Sequence, residues 1–206
     1  MEGFEQFVAV ALSSEGYIVS SNLKFPVARR TKKQGYAEVQ EHGYEVDLVG
    51  ARADRLLLVS VKSFFGSAGV KADDVLGSGK GAGGYRLLND PEIRDGVITK
   101  AARRYGYATE QIRLRFCVGR FAGKDGANER RVREWCATQV AGGGPIELLA
   151  VRQLIESVRA VAGQKTYLDN PVVVAMKVLA AAGLLDLSKP VGDVADALLE
   201  DVDNDD

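Results

Sequence analysis

The sequence predicts an α/β protein: a central mixed β-sheet flanked by helices, with a helical C-terminal segment. Three observations carry this. Residues 45–50 and 56–61 are short runs of β-branched residues and leucine, joined by the polar stretch 51–55, which reads as a hairpin. Residues 111–121 alternate, with Ile112, Leu114, Phe116 and Val118 on one side and Arg113, Arg115 and Cys117 on the other, the pattern of a half-exposed strand. Phe4, Phe7, Val8, Ala11 and Leu12 recur at helical spacing and give residues 2–15 one apolar face.

The elements follow in order. The first helix ends at Gly16, a natural C′ residue. Residues 17–27 read as the first strand, with Tyr17, Ile18, Val19, Leu23, Phe25 and Val27. A run of bases comes next, Arg29, Arg30, Lys32 and Lys33, read as a loop. Residues 36–40 extend toward the next strand, and His42, the single histidine, reads as a turn residue. After the hairpin, residues 66–84 are glycine-rich. Gly79-Lys80 is followed by Gly81 rather than Ser or Thr, so this is no P-loop. It reads as a mobile loop from which Lys71 and Lys80 reach out. Asp90-Pro91 opens a helix to about Tyr105, since proline suits a first helical turn. The strand 111–121, a helix over 129–140, a short strand over 146–151 and a helix over 151–162 follow. Asp169 or Asn170 caps a helix that starts at Pro171, and residues 190–200 suggest a short last helix. The expected division is a core over 1–163, a helical extension over 164–192 packed on it, and an acidic tail over 193–206.

Composition narrows the class. With 206 residues, 46% of them hydrophobic, the chain suits one moderate domain. No apolar run is long enough to span a bilayer, and the acidic N-terminus is unlike a signal peptide. Cys117 and Cys136 form no C-x-x-C pattern, so a reduced, cytoplasmic chain is expected. The net charge of -1 hides an asymmetry: residues 193–206 hold seven acids and no base, leaving 1–192 at +6. A basic body fits a surface that takes phosphates, and it also fits an ordinary protein.

The chemistry gathers at the hairpin. With strict alternation, Glu45, Asp47 and Val49 share one face of its first strand, and Leu56, Leu58, Ser60 and Lys62 share one face of the second. Asp47, Ser60 and Lys62 then converge where apolar cover gives way to polar residues. A buried carboxylate and ammonium cost desolvation unless they pair or bind something. The plain alternative is a strand-end lysine that reaches solvent beside a polar sheet face.

Asp47, the hairpin and Ser60-Val61-Lys62 resemble the PD-(D/E)XK, or restriction-endonuclease-like, nuclease superfamily, and the opening helix, Gly16-Tyr17 and strand resemble its Holliday-junction-resolvase-like members. The resemblance covers residues 1–120 in element order, and its motif is short. It implies a restriction-endonuclease-like sheet and a Mg²⁺- or Mn²⁺-dependent endonuclease acting on branched or linear duplex DNA. Asp47 and the Val61 carbonyl would hold the metal, and Lys62 would position or activate the attacking water. Ser60 stands where the family has Asp or Glu, and a hydroxyl is a poorer ligand for a hard cation. A second carboxylate then has to come from elsewhere: Glu5 ranks above Glu45, and both above Glu2. Arg29, Arg30, Lys32, Lys33 and Lys80 are the expected DNA contacts, through phosphates. A homodimer is the assembly the resemblance suggests. A second reading stays open beside the nuclease: a catalytically silent relative that binds DNA or assembles, with Ser60 as its cause.

Overall fold

In the computed structural model, residues 2–30, 39–166 and 168–188 are described. The apolar face of α1 (Gly3–Ser14) buries Phe4, Val8, Ala11 and Leu12, and Gly16 turns the chain in the left-handed region at φ 84°. β1 (Ile18–Arg30), β2 (Val39–Arg52) and β3 (Arg55–Lys62) follow as an antiparallel meander. Short turns α2 (Ala72–Val75) and α3 (Arg86–Asn89) lead to α4 (Pro91–Tyr105), where Asp90 accepts from the Ile93 N–H and Pro91 occupies the first turn. The rest is β4 (Ile112–Val118), α5 (Ala127–Thr138), the small ribbon β5 (Val140–Ala141) and β6 (Gly144–Pro145), β7 (Glu147–Ala150), α6 (Val151–Ala162) and α7 (Pro171–Ala181), capped by Asn170.

The main sheet has the order β1-β2-β3-β4-β7, antiparallel through β3 and parallel from β3 to β7. It is the mixed, helix-flanked sheet that the sequence predicts. Each face has its own core. On one, Val49, Leu58, Leu114 and Phe116 pack with Ile93 and Val97 of α4 and Val132 of α5. On the other, Leu48, Leu57, Val59 and Val61 pack with α1, α6 and α7, and α7 contributes Val172, Val173 and Met176. No helix of the described residues is long and apolar enough to cross a membrane.

β4 departs from its expected half-exposure. Parallel strands covered on both faces are buried throughout: Cys117 is as buried as its apolar neighbours, Arg115 is 8% exposed, and Arg113 alone is half-buried. Arg115 is accommodated because its guanidinium donates to both Glu15 carboxylate oxygens, at 2.7 and 3.0 Å, and to Glu147 at 2.8 Å. Burial pushes both thiols up to about 12.

Strict alternation also fails within the hairpin. Leu23, Phe25 and Val27 belong to the α4 side, whereas Tyr17 and Val19, of the same parity, belong to the α1 side. β2 changes over at the same level, with Val46 on the α4 side and Leu48 on the α1 side. Between them lie Asn22, in the left-handed region at φ 55°, and Asp47, bracketed by the pairs Ser21–Leu48 and Leu23–Val46. Glu45, Asp47 and Val49 are therefore not one continuous face.

Beyond this kink the β1–β2 ribbon leaves β3 and lies along α4. Val27 packs against Gly96, Arg29 pairs with Asp90 at 3.1 Å and Glu92 at 3.2 Å, and Lys100 reaches Glu41 at 3.4 Å. Arg29 and Arg30 are thus strand-end residues, not loop residues, and His42 is an exposed strand residue rather than part of a turn. Lys32, Lys33, the suggested 190–200 helix and the acidic tail lie outside the described residues.

The glycine-rich stretch 66–84 is folded tightly rather than loose. Asp73 and Asp74 organise it: the Asp73 carbonyl accepts from the Ser78 and Gly79 N–H groups, and the Asp74 carboxylate accepts from the Gly81 N–H at 2.8 Å. Asn89 ties both ends by donating to the Asp74 and Ala82 carbonyls. A Cβ at Gly79 or Gly81 would collide with Asp74, so glycine here serves close packing rather than flexibility.

Candidate active site

The site is a fork in the sheet. β2 and β3 are paired up to Leu48–Val59, and β3 then continues alone against β4, up to the pair Lys62–Val118. Where β2 peels away, the Val61 N–H on that side loses a backbone acceptor. The Asp47 carboxylate replaces it, and Val61 N–H donates to Asp47 Oδ2 at 2.6 Å. A buried N–H needs a partner, so one carboxylate both satisfies the fork and stands in its mouth.

Two clefts open there, and Asp47 and Lys62 line both. The first, about 270 Å³, is walled by Tyr44, Glu45, Ser60 and the Gly83–Leu87 segment. The second, about 200 Å³, is walled by Glu2, Glu5, Ser63 and Phe64. Lys62 Nζ lies 5.9 Å from the centre of the Tyr85 ring, within reach of a cation–π contact. Phe64, half-exposed beside them, holds a left-handed backbone at φ 50°, a strain that clusters near functional sites.

The electrostatics mark Asp47. Desolvation raises its pKa above the ordinary carboxylate value, and the neighbouring Glu5 charge raises it further. The Val61 N–H, Lys62 and the Ser60 hydroxyl act the other way, by favouring the charged form. Asp47 is thus a desolvated carboxylate facing one cation and one further acid. Burial also pushes the Tyr85 hydroxyl up to about 12.

Glu5 is held at the second cleft by α1, where its Oε2 accepts from the Glu2 N–H at 2.9 Å. Glu2 accepts from the Ser63 hydroxyl at 2.6 Å. Glu45 lines the other cleft and lies 3.7 Å from Lys24, largely exposed. Of the three acids weighed from sequence, Glu5 is the one whose charge bears on Asp47. No group of three His, Cys, Asp or Glu side chains is placed to hold a metal among the described residues. Two carboxylates, Asp47 and Glu5, do suit Mg²⁺, which keeps several of its waters and takes one or two protein carboxylates together with substrate phosphate oxygens. Ser60 is buried beside Asp47 in the wall of the first cleft, where its hydroxyl favours the charged carboxylate.

Arg30 and Lys80 are exposed, while Arg29 is engaged by Asp90 and Glu92. Sequence reasoning missed Tyr85 and Arg86, which the folded glycine-rich stretch delivers to the first cleft. The aromatic directly after Gly83-Gly84 was the available signal.

No protein-family model and no curated protein matches the chain. A crystal structure described as a protein of unknown function, AF1548, is similar at a TM-score of 0.35 and 15% identity, over 88% of this chain and 78% of that one. A likeness at that level carries no argument about fold or function.

Proposed function

We propose that this chain is a divalent-metal-dependent endonuclease of the PD-(D/E)XK type, hydrolysing DNA phosphodiester bonds at the sheet fork. The observation that carries it is the meeting of Asp47, Lys62 and Glu5 around one cleft, with Asp47 desolvated. A desolvated carboxylate in a cleft beside a lysine and a second acid is a constellation that suits metal-assisted phosphoryl chemistry. Asp47 and Glu5 would hold Mg²⁺ or Mn²⁺, with Glu45 and the Val61 carbonyl as the further donors to test. A cation there would lower the pKa of water and neutralise charge on the phosphoryl oxygens. Lys62 directs its charge at the phosphate and orients the attacking water. Ser60 and the Val61 N–H fix the Asp47 carboxylate. Tyr85 covers the Lys62 side and excludes solvent.

The second reading, a silent nuclease-fold protein that binds DNA, is favoured by Ser60, a hydroxyl in the place of a metal-binding acid. One experiment separates them: labelled linear, single-stranded and four-way-junction DNA with Mg²⁺, Mn²⁺ or EDTA, for wild type, Lys62→Ala, Glu5→Gln and Glu45→Gln. Cutting that needs metal and Lys62, and falls further with Glu5→Gln than with Glu45→Gln, supports the nuclease. DNA binding unaffected by EDTA and without cutting supports the silent relative.

A further inference from the structure

A further cleft, wider than either of the two at the fork, does not contain Asp47 or Lys62. It encloses about 520 Å³ at the carboxyl ends of the parallel strands β4 and β7, with the first turns of α5 and α6 in its wall. In open α/β sheets this edge is where ligands sit. Arg120, Lys124 and Arg152 line it, and none has an ion pair among the described residues. Glu129 is the acid in its wall, and Arg133 neutralises it at 2.8 Å. At the start of α5 the Ala127 N–H donates to Asp125 Oδ1 at 3.2 Å and at that of α6 the Ala150 N–H donates to the Gln153 side chain at 3.0 Å, while neither N-cap residue, Gly126 or Ala150, caps the remaining first-turn N–H groups, which add to the positive potential. A cleft with three unpaired cations and a neutralised acid is built for a polyanion.

Its place identifies which one. The Gly119 N–H donates to the Lys62 carbonyl at 2.8 Å, so the cleft begins one strand from Lys62, a step of about 5 Å in a sheet. We infer that the β4–β7 cleft is a nucleic-acid backbone track: Arg120, Lys124 and Arg152 hold the phosphates next to the one at the Asp47–Lys62 fork. The bound strand then crosses the sheet edge from β3 toward β7. This rests on the fork being the phosphodiester site, and the test separates the two.

The test is fluorescence anisotropy of labelled duplex and single-stranded DNA in EDTA, over a series of KCl concentrations. It compares the full wild-type chain, Arg120→Ala/Lys124→Ala/Arg152→Ala and the charge-keeping Arg120→Lys/Lys124→Arg/Arg152→Lys. Metal-dependent cleavage is measured in parallel with Lys62→Ala. The triple alanine variant is expected to bind roughly 10-fold or more weakly, with the salt slope reduced by about one for each cation removed. The charge-keeping variant keeps both affinity and slope, which a fold defect would not allow. Unchanged affinity and slope in the alanine variant overturn the track, even if Lys62→Ala still abolishes cutting. Displacement of DNA from the cleft by a mononucleotide or inorganic phosphate as effectively as by an oligonucleotide overturns it in favour of a small-anion pocket. Wild type that binds no DNA overturns it as well. Wild type that binds through these three residues and never cuts keeps the track and refutes the nuclease.

Discussion

Replacing Arg115 by methionine removes the centre of the main buried ion network and keeps most of the side-chain volume. The guanidinium makes three charge-assisted hydrogen bonds, two to Glu15 and one to Glu147, and ties the end of α1 to β4 and β7. A hydrogen bond to a charged group contributes about 1.5–3 kcal/mol net. Compensation is set by exposure: the Arg115 side chain is 10% exposed, but Glu15 and Glu147 are each 34% exposed and regain water once freed. The methionine also escapes the desolvation that a buried guanidinium carries. The net expected loss is about 2–4 kcal/mol. It is read from urea unfolding at neutral pH as a lower midpoint with an unchanged slope. Arg115→Lys, which keeps the charge and loses the fork, falls between wild type and methionine. A double cycle with Glu15→Gln should show coupling above about 0.5 kcal/mol. If Arg115→Met unfolds within about 0.5 kcal/mol of wild type, the network is neutral against its own desolvation and the reasoning fails.

Two further outcomes follow from the fork and the ribbon. Asp47 has a folded-state pKa above its unfolded one, so the protonated carboxyl is the form that folding favours, and its contribution to stability is lost as pH rises from the ordinary aspartate value through the folded value. Asp47→Asn removes that loss and can still accept from Val61 N–H. It should therefore melt no lower than wild type at neutral pH while losing metal-dependent cleavage, and its advantage should shrink as pH falls to the ordinary aspartate range; an Asn variant that is less stable at pH 7 than at pH 4, relative to wild type, contradicts this. Gly96→Ala would place a Cβ 2.5 Å from Val27 Cγ1, where the ribbon rests on α4. The overpacking, about 1–3 kcal/mol, outweighs the roughly 1 kcal/mol gained in helix propensity, so the variant melts lower and Val27→Ala rescues it; a stabilised variant would mean the ribbon is not seated there.

Local chemistry made much of the architecture legible. The α1 stripe, Gly16, Asp90-Pro91 and Asn170-Pro171 state where helices start and stop through backbone geometry and capping, and these act within one turn of chain. The hairpin was legible because its runs are short and β-branched. Arg115 was not, because its alternation is that of a surface strand and its two acids come from distant elements. The glycine-rich stretch was read as mobile because glycine permits both looseness and close approach, and only Asp74 decides between them. Tyr85 reaches the first cleft through that same packing.

By itself the sequence determined the principal helices and strands, their order, and that Asp47 and Lys62 would stand on adjoining strands, since propensity, periodicity and turn chemistry are local. Tertiary structure alone decided that both strands of the ribbon turn over at Asn22 and Asp47 and that the fork leaves Val61 N–H to the carboxylate; it also set the charge of Glu5, ranked above Glu45 from the sequence, against Asp47. Those outcomes depend on which surfaces meet. A one-residue change of face in a strand alters every contact beyond it, and nothing within the strand itself encodes the helix it will lie on.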